Sequence, residues 1–239
     1  MRKKKGLIGL ILAMLVCTGI SETFSYMNDK SEVKNCLNFV GENGIDAILS
    51  EPSWNPDKGL LTVPDSVVAK DPQVTNTSVL DINEMVALKC EFVYGKECPD
   101  KEKTGTLLSA EDMGKILQVY QIDYNSDDPS KKEWVRFHDQ KNTDPVQCFY
   151  YTKILKRNLP SPKGEKTVPL FTGLVIDKKV NEKQQSLIRE MGGFEIHICG
   201  LVVQQMENEE YFGLDNPKSA YEAGLFNFAK SEQKGKNEE

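Results

Sequence analysis

The chain has 239 residues, 30 Lys and Arg against 36 Asp and Glu, a net charge of −6 and 39% hydrophobic residues. These values suit a folded domain. The acidic balance, with no Lys/Arg stripe to oppose it, argues against a nucleic-acid partner, because like charge repels a phosphate backbone. No repeat recurs at solenoid periods.

Arg2, Lys3, Lys4 and Lys5 open the chain, and an uncharged, mostly apolar run from Gly6 to Ile20 follows. A basic head, a short apolar core and small residues before a cut are the plan of a secretory signal peptide. The basic end stays on the cytoplasmic side. About 15 residues at ~1.5 Å each make a helix of ~22 Å, short of the ~30 Å hydrocarbon core. An uncleaved anchor and a buried N-terminal helix are the alternatives. Thr23 and Ser25 supply the small side chains that signal peptidase wants three and one positions before the scissile bond, so the mature chain is predicted to start at Tyr26. Removing residues 1–25 takes away four Lys/Arg and one Glu, leaving 26 basic against 35 acidic residues. Export predicts a secreted or cell-surface protein that touches the membrane only through its signal.

Cys17 leaves with the signal, so Cys36, Cys90, Cys98, Cys148 and Cys199 remain. An odd number cannot all pair within one chain, and no C-x-x-C or zinc spacing is present. Several are expected to be small buried hydrophobes. One disulfide, for example Cys90 to Cys98 across a turn, is the alternative, and a disulfide framework is not supported.

After the signal, Val33, Leu37 and Phe39 alternate as in a strand. The turn residues Gly41-Glu42-Asn43-Gly44 and a second strand from Ile45 to Leu49 predict a hairpin-like start. Residues 51–59 read as a proline-broken loop, and residues 67–77 as extended, β-branched chain. Met85 to Tyr94 is the cleanest strand, with Val86, Leu88, Cys90, Phe92 and Tyr94 on one face and Lys89 and Glu91 on the other.

Two blocks carry a family resemblance. The Lys-rich head with Thr23-Phe24-Ser25-Tyr26-Met27-Asn28-Asp29 resembles the signal segment of Gram-positive proteins processed by a dedicated ER-type (SipW-type) signal peptidase, the TasA-like fibre subunits and camelysins. Glu22 and Ser25 stand where that pattern has Gly and Ala. Glu51-Pro52-Ser53-Trp54-Asn55-Pro56 and Lys70-Asp71-Pro72-Gln73-Val74-Thr75-Asn76-Thr77 are similar to motifs of the same family, while 81–86 departs from its next strand by a short insertion. The resemblance covers roughly the first 95 residues. It implies a jelly-roll-like sandwich, export through that peptidase and self-assembly.

Further on, Ser109 with an acidic residue three positions later predicts a helix to about Tyr120. Strands are expected at 134–137, 148–155, 174–176 and 193–205, a polar helix at 181–190, and an amphipathic helix at 218–229 with Ala220, Ala223, Leu225 and Phe226 as contacts. Residues 230–239 read as a disordered charged tail. Seven or more short strands predict a mainly β fold, a jelly-roll or Ig-like antiparallel sandwich over 26–229 with a few short helices, preceded by the signal helix.

Chemistry is sparse. His138 and His197 are the only histidines, and H-E-x-x-H, G-x-S-x-G, Gly-rich phosphate loops and EF-hand loops are all missing. Trp54 and Trp134 read as buried anchors. The expectation is a non-enzymatic protein without cofactor or metal, whose partner is a second copy of itself. Residues 26–40 would add as a strand to a neighbour, with Val33, Leu37 and Phe39 as contacts. Burying those three contributes roughly 4–9 kcal/mol, against ~4–15 kcal/mol for association, so the backbone ladder has to contribute. Pairing of this strand within its own chain, a surface adhesin, and a camelysin-like surface peptidase are the other readings.

Overall fold

The computed structural model describes residues 35–40, 45–54, 65–125, 133–161, 164–205 and 216–228. The expected signal helix, the cut beside Tyr26 and the charged tail lie outside the described residues.

The described chain is mainly β. A five-stranded sheet has the order β1-β10-β5-β8-β7, built from β1 (Asn35–Val40), β5 (Glu84–Tyr94), β7 (Trp134–Arg136), β8 (Val146–Tyr151) and β10 (Phe194–Gln204). Two smaller sheets lie across from it. One is β2 (Ala47–Ser50) with β4 (Gln73–Asn76); the other is β3 (Val67–Ala69), β9 (Phe171–Ile176) and β6 (Tyr120–Tyr124). All pairings are antiparallel except β1 on β10.

The centre of the fold is β5 against β10, in register from Phe194 opposite Tyr94 to Gln204 opposite Glu84. Val86, Leu88, Cys90, Phe92 and Tyr94 share one face, as alternation predicts. They pack with Val68, Val74, Leu174, Ile176, Tyr120 and Phe149 into the core between the large sheet and the smaller ones. α1 (Ala110–Val119) adds Met113 and Ile116 to that core. Its cap is the predicted one: Ser109 Oγ accepts from the Asp112 amide at 3.1 Å. α2 (Glu182–Glu190) starts at Asn181 with a full capping box, its side chain and that of Gln184 each bonding the other's backbone amide.

The opposite face of the large sheet is buried as well. Met85, Ala87, Leu201, Val203, Cys148 and Tyr150 sit beneath Ala220, Phe226 and Phe228. This corrects the amphipathic reading of β5: Lys89 is buried, its ammonium 2.8 Å from Glu91 Oε1.

Other expectations are corrected too. The N-terminal hairpin does not form; β1 pairs with β10, where Leu37 fills the space over Gly200, and β2 pairs with β4. Tyr120–Tyr124 follows α1 directly as a strand that the helical pattern concealed. The last helix, α3, is only Pro217–Glu222. It ends at Ala223, which is exposed, and Gly224, whose φ of +71° leaves the helical region. Leu225 to Asn227 are non-helical, so Phe226 reaches the sheet from outside α3, and Phe228, where helical backbone resumes, is buried against the same face. Cys90 and Cys98 are free and buried, so the bridge suggested for them is absent; Cys148 is also free, and Cys199 is disulfide-bonded.

Candidate functional site: the edge held by the N-terminal strand

β1 occupies the outer edge of β10, parallel to it, from Asn35 opposite Ile198 to Val40 opposite Val203. A parallel neighbour cannot be reached through a tight hairpin, and here the partners are separated by most of the chain. Leu37 faces Gly200 and packs on the main core. A Cβ on Gly200 would stand 2.3 Å from Leu37 Cδ1, so the missing side chain is the hollow that seats Leu37. Phe39 has its Cα opposite Val202, and Cys36 has its Cα opposite the disulfide-bonded Cys199. Of the sequence-predicted residues, Leu37 and Phe39 are therefore on one strand at this edge. Thr23, Ser25, Tyr26 and Val33 lie outside the described residues.

Residues 51–54 and 70–71, separate in sequence, converge in space. Residues 51–54 form a turn closed by the Trp54 amide on the Glu51 carbonyl at 3.1 Å. Lys70, fully buried, brings its Nζ to 2.7 Å from Glu51 Oε1 and 2.9 Å from Oε2. The Trp54 ring centroid is 5.2 Å from the same nitrogen. Asp71 accepts from the Ser53 amide and hydroxyl, both at 2.8 Å. Burial lowers the pKa of Lys70, and Glu51 opposes the shift. Sequence reading missed this cluster, although a lysine among β-branched residues was its signal.

A second polar knot follows from the same stretch. Asn76 Nδ2 donates to the Ile82 and Leu155 carbonyls at 2.8 and 3.0 Å. Ser78 Oγ donates to Glu84 Oε1 at 2.6 Å, and Arg157 Nε donates to the Ser78 carbonyl. Burial, the largest influence, pushes the Glu84 carboxyl up to about 8.

The histidines do not come together: His138 is exposed and bonded through its amide to Tyr221, while His197 Nε2 is 2.9 Å from Glu195 Oε2. Among the described residues no group of three or more His, Cys, Asp or Glu is placed to hold a metal. Trp134 is fully buried, its indole donating to the Val168 carbonyl at 3.0 Å. A cavity of about 480 Å³ lies between the large sheet and the chain after α3, with Phe137, Tyr221, Phe226 and Phe228 around Lys89 and Glu91. No protein-family model, curated protein or solved structure matches the chain.

Proposed function

We propose that this is an exported, non-enzymatic surface or matrix protein whose jelly-roll-like sandwich joins head to tail by addition of the N-terminal strand. The observation that carries this reading is the position of β1. It is a parallel edge strand, far in sequence from the strand it covers, with Leu37 seated in the hollow above Gly200. The equivalent strand of a second copy would meet the same backbone groups and the same hollow. Such a head-to-tail exchange is heterologous, and a heterologous contact whose rotation does not close builds filaments. The likeness of residues 1–29, 51–56 and 70–77 to the TasA and camelysin family supports the same reading. Cleavage before Tyr26 by the ER-type signal peptidase would release the strand from the membrane.

Electron microscopy and light scattering on chains starting at Tyr26 and at Gly41 test it. Both are run with and without reductant, because Cys199 on the covered strand is disulfide-bonded. Filaments from the longer form alone support strand addition; two monomeric forms under both conditions refute it. The aromatic cavity beside α3 favours a second reading, a surface adhesin, which predicts a monomer that retains a glycan or protein ligand.

A further inference from the structure

Lys70 and Glu51 have side-chain exposures of 0% and 3%, and the amine stands nearly equidistant from both carboxyl oxygens. Their contact is close yet poorly satisfied. Glu51 Oε1 lies 2.7 Å from the ammonium but accepts no well-aligned hydrogen bond. The indole nitrogen of Trp54 is also buried without an acceptor. Asp71 does not relieve the pair, since its carboxylate is engaged by the Ser53 amide, the Ser53 hydroxyl and Gln73 Nε2. Cys90, free and fully buried, is the other titratable group facing Lys70.

We propose that Lys70 and Glu51 condense into an intramolecular amide that staples the turn after β2 to the segment between β3 and β4. Burial favours the neutral amine of Lys70, and passing one ammonium proton to the adjoining carboxylate gives the amine and the acid that condensation needs. Nζ attacks the Glu51 Cδ; an N–C bond forms and the C–OH bond breaks. The departing hydroxyl takes an Nζ proton and leaves as water, and no oxidant or activating group is consumed. Fixing the two groups in contact is worth effective concentrations of ~10⁵ M or more, and the product removes two buried charges. The link would close a segment whose ends are 19 residues apart, which holds this corner against pulling and proteolysis. The proposal is independent of strand addition.

Mass spectrometry on the intact, folded and then denatured chain tests it. After reduction of the disulfide, the expected mass is lower than the sequence mass by one water. Trypsin then fails to cut after Lys70, and a branched peptide joins residues 35–58 to residues 59–89. Lys70→Arg, which keeps the cation but not the reactive amine, is expected to show its full sequence mass and separate peptides. Wild-type protein at full sequence mass that releases residues 59–70 as a free peptide overturns the proposal and leaves an ion pair. That result does not depend on whether the variant folds.

Discussion

Gly200→Ala isolates the seat of β1. The new Cβ would stand 2.3 Å from Leu37 Cδ1 but 3.5 Å from Leu88 Cδ2. The second distance is ordinary contact; the first forces Leu37, the end of a flexible side chain, out of its hollow. Full burial of Leu is worth ~1.5–3 kcal/mol, and Leu37 is half-buried, so its loss weakens the edge by about 0.7–1.5 kcal/mol. Alanine recovers ~0.5–1 kcal/mol of backbone freedom, but β10 stays a strand whether or not β1 is docked, so this gain cancels from β1 opening. Opening of β1 is therefore expected to rise roughly 3- to 12-fold at 1.4 kcal/mol per decade. Hydrogen exchange under reducing conditions reads it: amides of 35–40 exchange faster while those of β5 and β8 keep their protection. Unchanged exchange at 35–40, or a uniform rise across the large sheet, would refute the seating of Leu37 on Gly200.

Glu84 predicts a pH dependence. Its folded pKa of about 8 lies above the ordinary 4.5, so between these values the fold holds a proton that the unfolded chain has lost. Its contribution is complete below pH 4.5 and falls through pH 8 by at most about 1.4 kcal/mol per pH unit. Glu84→Gln, read by urea midpoints at pH 5 and pH 8, should flatten that slope; parallel curves for the two proteins would contradict it. Trp134→Phe removes the bond to the Val168 carbonyl and leaves a gap beside Tyr151. It is expected to cost about 1–3 kcal/mol in urea unfolding, and a change within about 0.5 kcal/mol, the range of a surface substitution, counts against it. Alkylation without reductant should label Cys90, Cys98 and Cys148 only after unfolding, and Cys199 only after reduction. Labelling of Cys90 in the native protein would show that the core is open.

Much local structure was legible because neighbours in sequence write it. The alternation from Val86 to Tyr94, the Ser109 cap and the polar helix at 182–190 rest on spacing and on hydrogen bonds within a few residues. The last helix was overextended because Leu225 and Phe226 are apolar at a plausible helical spacing. The pattern does not distinguish a helical face from an extended segment that meets the same sheet.

By itself, then, the sequence determined a mainly β chain, which residues of its central strand share a face, and the Ser109 cap of its first helix. Tertiary structure decided the rest. β1 lies on β10 and not on β2, since strand pairing is chosen by the total surface buried and chain proximity is only one contribution to it. Lys89 is buried because residues 217–228 cover a face that alternation alone would leave in water. Glu51 and Lys70 meet because β2 pairs with β4 and the chain around Lys70 hydrogen-bonds Thr172. No spacing in the sequence encodes that contact: two charges enter a dry core together only when the strands around them have already chosen their partners.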